Sequence, residues 1–209
     1  MSDEVDAVAA SKSSRYALSF TSGALLVREA LVAAPIYLEE RDWSRVRARL
    51  REGNLLQART RSTGFRLARE VAQRLEVLTV AEIDLLIESA PAERGYLMWV
   101  AACRRYAFIG DFAKEVLRER YLVLASTVDY ADFDSFVHGK SIWHEELAEL
   151  KDSTLQKLRS TVFRMLVEAS LLDERRTIIP AVFSKRLAEL LDDRKPSDIR
   201  FFPVGGAVR

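Results

Sequence analysis

Apolar residues return every three or four positions along most of this chain, with polar residues between them. That spacing places the apolar side chains on one face of an α-helix, and it is clear in windows such as 43–50 and 67–75. Only 8 glycines and 5 prolines interrupt the 209 residues, so a few long elements should dominate. The pattern predicts an all-α, mainly helical globular protein.

Helix-capping and helix-breaking residues set the predicted boundaries. The first helix should cover about 24–34, because Pro35 should stop it. Asp42 should cap the second helix, and the third should start after the Ser-Thr-Gly segment at 62–64. The strongly apolar stretch 92–108 should form the central helix.

Three single residues add further expectations. Asp111 should cap one helix, and Gly139 should end a short helix that starts at Asp129. Phe65 occupies an apolar helical position, which is typical of a core residue.

The pattern changes after about residue 170. β-Branched residues stand beside a proline at 177–180, and 199–204 again looks extended, with a helix at about 183–191 between them. Helices alternating with short strands in this order are typical of a winged helix. The predicted organisation is a disordered tail, a helical domain with Arg-rich helices, and a winged-helix-like C-terminal subdomain packed on it, at 1–14, 15–152 and 153–209.

Positive charge is concentrated in one part of the chain. Ten arginines and only three acidic residues lie between positions 41 and 74, although the formal net charge of the whole chain is +1. Arginine outnumbers lysine 25 to 7, and a guanidinium group can bind phosphate oxygens through two parallel hydrogen bonds. The block indicates a surface that binds a polyanion. The alternative is a solvated helical face paired with carboxylates elsewhere in the fold.

The second predicted helix contributes five of these arginines. Arg41, Arg45 and Arg49 recur every fourth residue and form one row opposite the apolar face, and Arg47 and Arg51 flank the row. Like charges at this spacing destabilise an isolated helix, so a compensating anion is expected. Phosphate is the proposed anion, and neighbouring glutamates are the alternative.

The loop before the third helix combines arginines with hydroxyl groups. The free N–H groups and the positive dipole of a helix start favour phosphate there. N-capping by Ser62 or Thr63 is compatible with such binding. The candidate contacts are Arg59, Arg61, Ser62, Thr63, Arg66 and Arg69.

Two helices nearer the C-terminus carry weaker candidates. Lys157 and Arg164 lie opposite the apolar side of the helix at about 154–170, and Lys185 and Arg186 lie on the helix at about 183–191. In a winged-helix arrangement either helix is a candidate to contact phosphates or base edges. A solvated face is the alternative for both.

The sequence contains no pattern typical of an enzyme or a metal site. The two histidines are six residues apart, and the single cysteine, Cys103, lies in an apolar helix. The longest apolar run, 96–103, has eight residues, whereas a membrane span needs about 20. We expect a cytoplasmic, non-enzymatic protein without cofactor, metal, small-molecule substrate or membrane contact.

Three stretches of the chain resemble the BrxA family of BREX phage-defence systems. They are 16–25 (YALSFTSGAL), 59–70 (RTRSTGFRLARE) and 154–172, which ends in LVEASLL. BrxA proteins are small helical proteins encoded beside a methyltransferase, an ATPase and a phosphatase-like component. The resemblance implies an all-helical body like the NusB antitermination fold, and DNA binding. It assigns no role to any single residue.

These observations lead to three functional hypotheses. The first is non-enzymatic binding of double-stranded DNA with little sequence preference, because phosphate contacts carry no sequence information. The second is a protein–protein adaptor whose arginine surface docks on an acidic component of the BREX complex. The third is RNA binding, which the NusB likeness would favour.

Overall fold

Helices make up most of the computed structural model, which describes residues 15–205 and confirms the all-α prediction. The chain also contains a π-helical segment, Ala113–Arg118, between two α-helices, and a 3₁₀ turn, Asp198–Phe201, after the last α-helix. The predicted tail at 1–14 lies outside the described residues. Within those residues the α-helices are α1 (Val27–Glu40), α2 (Trp43–Glu52), α3 (Arg61–Leu75), α4 (Val80–Glu88), α5 (Pro91–Arg105), α6 (Ala107–Phe112), α7 (Glu119–Leu122), α8 (Tyr130–Ser141), α9 (Glu145–Ala148), α10 (Asp152–Glu168) and α11 (Lys185–Asp192).

The central helix is α5, as its apolar run predicts. Every residue from 95 to 103 is buried, and α5 packs against α1, α3, α4 and α10. The chain turns at Tyr106 before α6. The indole Nε1 of Trp99 donates to the carbonyl of Phe201 at 3.0 Å, which joins the C-terminal residues to this helix.

The first helix begins and ends later than the predicted range of 24–34. The Leu25 N–H donates to the Glu168 carboxylate at 2.7 Å, and the Leu25 carbonyl accepts from the Arg74 guanidinium at 3.2 Å. These tertiary contacts hold the backbone at Leu25 outside the helix. The prediction that Pro35 stops α1 is wrong. Pro35 lies inside the helix, at an exposed position.

Capping side chains explain where the next two helices start. Asp42 caps α2 as predicted, with its carboxylate accepting from the Ser44 N–H at 2.6 Å. Helix α3 starts at Arg61, earlier than the predicted start after 62–64, because Thr60 is its N-cap. Its Oγ1 accepts from the Thr63 N–H at 3.1 Å.

Two predicted helix boundaries in the middle of the chain are wrong. Asp111 lies inside a helix rather than at its start, and its carboxylate accepts from the Tyr16 hydroxyl at 2.6 Å and pairs with Lys114 at 2.7 Å. Gly139 lies inside α8 instead of ending it. The Asp111 carboxylate that would cap a helix is instead used in the long-range hydrogen bond from Tyr16.

The C-terminal residues form loops and a 3₁₀ turn rather than the two expected short strands. No β-ladder longer than an isolated bridge occurs within residues 15–205. The turn at 198–201 forms because Ser197 caps it and because the Asp198 carboxylate is held by Arg104 at 2.7 Å. The isolated bridges join Thr127 to Thr177 and Leu172 to Ile178.

The division of the chain between residues 152 and 153 stays a prediction. One cluster of buried apolar side chains contains residues from both sides of that point, including Trp99 and Phe202, which are each 0% exposed.

Candidate nucleic-acid interface

Two arginines of α2 are paired with carboxylates of the same chain. The Arg47 guanidinium lies 2.6 Å from Glu76, and the Arg49 guanidinium lies 2.8 Å from Glu39 and 3.0 Å from Glu40. The hydrogen bond to Glu39, and then that to Glu40, raises the pKa of Arg49. These pairs offset part of the like-charge repulsion along the row, so α2 offers fewer free cations than its sequence suggests.

The other arginines of this row are more accessible. Arg45 lies 3.7 Å from Glu40 and has 71% of its side chain exposed. Arg41, which follows α1 in a left-handed conformation, donates from Nε to a backbone carbonyl of α1 at 3.0 Å. The Arg51 guanidinium lies over the ring of Phe65, 5.2 Å from its centroid. Phe65 is 44% exposed, so its predicted place in the core is wrong.

A depression of about 360 Å³ lies between the end of α2 and the start of α3; we call it the α2–α3 cleft. Arg51, Arg59 and Arg61 are among its lining residues. The Asn54 side chain holds the loop by accepting a backbone N–H across it at 3.1 Å. Arg59 and Arg61 are exposed and form no ion pair within residues 15–205.

The hydroxyl groups at the start of α3 have separate roles. The Thr60 hydroxyl caps the helix and donates to the Thr63 Oγ1 at 2.9 Å. The exposed Ser62 hydroxyl forms no hydrogen bond in the part of the chain that the structure describes. Because Thr60 is the cap, Ser62 remains available to an anion at the positive end of the helix dipole.

A second depression, of about 240 Å³, lies beside α3; we call it the arginine recess. Arg66 and Arg69 reach it from α3, and Arg105 reaches it from the end of α5. None of these three guanidinium groups has an ion pair among the described residues. The other lining residues are Ser19, Ser22, Glu70 and Gln73.

The carboxylate in this lining is already neutralised by the core. Glu70 accepts from Arg74 Nε at 2.8 Å and from the Tyr106 hydroxyl at 2.8 Å. Arg74 is 0% exposed, so this member of the basic block is a core residue. Burial, reinforced by the Glu70 charge, raises the pKa of Tyr106 and keeps its hydroxyl protonated. The recess therefore presents three positive charges that no carboxylate of the described chain offsets.

Four other candidate cations line neither depression. Lys157 and Arg164 are exposed on α10, and neither forms an ion pair within the described range. Lys185 and Arg186 on α11 lie 3.9 Å and 2.6 Å from glutamate oxygens. Of the candidate cations, only Arg51, Arg59 and Arg61 line the α2–α3 cleft, and only Arg66 and Arg69 line the arginine recess. Arg41, Arg45, Arg47 and Arg49 also line neither depression.

The sequence reasoning missed Arg105. It was included in the apolar stretch 92–108 and treated as part of a core helix. The signal that could have found it is the Arg-Arg pair that follows Cys103, because two adjacent arginines rarely lie in a core. Its partner Arg104 is buried in ion pairs, while Arg105 is half-buried at the surface.

Two other kinds of site are not found between residues 15 and 205. No group of three or more His, Cys, Asp and Glu side chains could hold a metal ion there. No helix in that range combines the length and the apolar composition needed to cross a bilayer. Cys103 is buried, and burial raises the pKa of its thiol, which keeps it protonated.

Comparison with known proteins decides the family. A sequence model of the BrxA family matches residues 14–195. The chain belongs to the BrxA family. The resemblance seen in the sequence is therefore confirmed, and the homologues imply a component of a BREX phage-defence system.

Two relatives and one solved structure illustrate the extent of the similarity. The BREX protein BrxA of Escherichia coli O9:H4 (strain HS) is 28% identical over 162 residues, covering 77% of this chain and 76% of that protein. The BREX protein BrxA of Paramagnetospirillum magneticum (strain ATCC 700264 / AMB-1) is 23% identical over 163 residues, covering 78% and 82%. The crystal structure of an uncharacterized protein from Magnetospirillum magneticum has a TM-score of 0.77 at 22% identity and covers 90% of this chain and 99% of that chain. At that identity the likeness concerns the fold alone.

Proposed function

We propose that this BrxA-family chain is a non-enzymatic DNA-binding component of its BREX system. The observation that carries the proposal is that five guanidinium groups lining the two depressions have no carboxylate partner within residues 15–205. They belong to Arg59, Arg61, Arg66, Arg69 and Arg105. Leaving so many like charges close together is unfavourable unless an anion binds between them.

The chemistry of this surface suits phosphate. All of its groups are hydrogen-bond donors: the arginine guanidinium groups, the Ser62 hydroxyl and the N-terminus of the 15-residue helix α3. A donor that contacts a phosphate does not contact a base edge, so it does not distinguish one base from another. A duplex presents closely spaced phosphates, so we expect binding to double-stranded DNA with little sequence preference.

The candidate cations should contribute unequally. The unpaired arginines of the α2–α3 cleft and the arginine recess should contribute most. Arg41, Arg45, Lys157 and Arg164 should add smaller terms. Arg47, Arg49, Lys185 and Arg186 should contribute least, because each would have to give up an ion pair to reach a phosphate.

The test is charge reversal at the arginine recess. The double variant Arg66→Glu with Arg69→Glu should shift duplex DNA in gels at least about tenfold less efficiently, and the slope of log affinity against log salt should fall by about 2. The control is Arg175→Glu with Arg194→Glu, which makes the same change in net charge at exposed cations that line neither depression. Equal losses in both variants would reduce the effect to overall charge and remove α3 from the proposal.

A second variant tests Arg105, which lines the arginine recess from the end of α5. Arg105→Ala should weaken DNA binding and lower the slope of log affinity against log salt by about 1, because it removes one guanidinium group from the recess. It changes no residue of α3. Unchanged binding in Arg105→Ala would confine the interface to the α2–α3 cleft.

The alternative hypotheses give different results in the same assay. An RNA-binding protein would retain structured RNA in the presence of competing duplex DNA. A purely protein-binding adaptor would shift neither nucleic acid at low salt, and its arginine variants would lose a protein partner instead.

A further inference from the structure

A groove that shares no lining residue with the two basic depressions has exposed apolar side chains in its lining; we call it the apolar groove. It has a volume of about 570 Å³, and Val123, at the end of α7, and Trp143, between α8 and α9, are among its lining residues. Trp143 is 78% exposed, Val123 is 69% exposed, and their neighbours Leu124 and Ile142 are 91% and 69% exposed. Exposed apolar side chains gathered in this way mark interaction sites more often than ordinary solvent-facing surface.

The backbone at Leu124 strengthens this interpretation. Leu124 has a φ of 61°, in the left-handed region where glycine is favoured, and Ala125 donates its N–H to the Arg120 carbonyl at 2.9 Å to close the helix end. A leucine in this conformation is unfavourable, because its Cβ lies too close to the following carbonyl oxygen. Because its side chain is also 91% exposed, it gains no burial within the described residues in return.

The charges around the groove indicate which kind of molecule covers it. Its cations are already engaged, since Lys140 lies 2.6 Å from Glu115 and Arg120 lies 3.5 Å from Asp132. Two exposed carboxylates nearby, Glu119 in the lining and Glu145 just after Trp143, form no ion pair with any residue from 15 to 205. Free carboxylates repel phosphates and attract lysine and arginine.

We propose that the apolar groove docks a protein segment of another BREX component, one that carries large apolar side chains flanked by lysine or arginine. Trp143, which lines the groove, and Leu124, which follows the lining residue Val123, are the anchors of this contact, because aromatic and large apolar side chains carry most of the binding energy of an interface. Glu119 and Glu145 pair with the basic flanks and select against nucleic acid. The proposal rests on family membership and not on DNA binding.

The first experiment identifies what lies in the groove. Ile142 is replaced by photoreactive benzoylphenylalanine, and the chain is coexpressed with the other components of its BREX system and irradiated. We expect a crosslink to one of those components, at a peptide with lysine or arginine within a few residues of an apolar anchor. A crosslink to a second copy of this chain, to nucleic acid, to a protein outside the system, or to nothing overturns the proposal.

The second experiment measures how much the groove contributes. Trp143→Asp with Leu124→Asp should reduce co-purification of the crosslinked component about thirtyfold. Val182→Asp, which makes one such apolar-to-aspartate change at a residue that is 77% exposed elsewhere, should leave it unchanged. Equal retention by the two variants would contradict the proposal.

Charge variants complete the test and separate it from DNA binding. Glu119→Lys with Glu145→Lys changes only exposed side chains and should also weaken co-purification. This variant tests the proposal if Trp143→Asp with Leu124→Asp does not fold. All groove variants should shift DNA as the unaltered chain does. The variant Arg66→Glu with Arg69→Glu should still bind the crosslinked component even if it no longer binds DNA. The docking proposal and the DNA-binding proposal can therefore fail independently.

Discussion

At the scale of single residues, the value of a charged side chain depends on what surrounds it. Arg104 is 5% exposed and contacts Glu82 and Asp198, both 2% exposed, at 2.5 Å and 2.7 Å. Its neighbour Arg105 faces the arginine recess without an ion pair in the described chain. Two identical adjacent residues thus differ in role, one holding the core together and the other available for binding.

Removing one partner of the buried pair should be costly. Glu82→Gln should lower the free energy of unfolding by about 3 kcal/mol, because the Arg104 charge then stays buried with one carboxylate fewer. Glu76→Gln, which removes the partially exposed pair with Arg47, should cost less than about 1 kcal/mol. Urea denaturation compares the two variants, and similar midpoints would contradict the distinction.

The same carboxylate predicts a loss of stability in acid. Burial alone would raise the pKa of Glu82, but hydrogen bonds from Arg104 and from the Thr79 N–H lower it below its ordinary value of 4.5. A group with a lowered folded-state pKa stabilises the fold above the unfolded value, and this contribution is lost as the pH falls through the folded value. Thermal melts should show the unaltered chain losing stability below about pH 4.5, and Glu82→Gln losing less over the same window.

At the scale of elements, local signals predict helices well and their ends less well. The Asp42 cap of α2 is as predicted, because the cap and the N–H groups that it accepts from are only a few positions apart. The Thr79–Glu82 capping box of α4 is equally local. The start of α1 is not, because Glu168 holds the Leu25 N–H from 143 residues away. A sequence window cannot contain such a partner.

Two helical glycines give opposite predictions at this scale. A Cβ at Gly110 would lie 2.9 Å from the Cys103 carbonyl oxygen, so Gly110→Ala should lower stability by about 1–3 kcal/mol. A Cβ at Gly139 would meet nothing within 4 Å, so Gly139→Ala should raise stability by about 0.5–1 kcal/mol through better helix propensity. Denaturant titration of both variants checks the contrast, and the same sign of change in both would contradict it.

At the scale of the whole molecule, the fold separates two surfaces. The basic depressions are built on α2, α3 and the end of α5, while the apolar groove is built from the π-helical segment, α7, α8 and Trp143 between α8 and α9. The two proposals therefore concern different residues: the basic depressions are proposed to bind a polyanion, and the apolar groove is proposed to dock a protein.

The C-terminal residues are part of this whole although the family match ends at 195. Phe201 and Phe202 are 4% and 0% exposed, and Asp198 completes the buried ion-pair group around Arg104. Truncation after residue 195 should therefore abolish cooperative unfolding or lower the melting temperature sharply, since the loss of one buried Phe alone costs about 3–5 kcal/mol. Circular dichroism melts test this. A truncated chain that melts like the full one would show that these residues only cover the core.

The sequence alone determined that the chain is helical, which stretch lies at its centre and where arginine is concentrated, because periodicity, caps and composition are local properties. The tertiary structure alone decided which arginines are free. Arg47 is paired by a glutamate 29 residues away, Arg74 is buried beneath Glu70, and Arg105 arrives at α3 from another helix. The reason is physical: the availability of a charge depends on the nearest opposite charge in space, and folding brings that charge from distant positions in the chain.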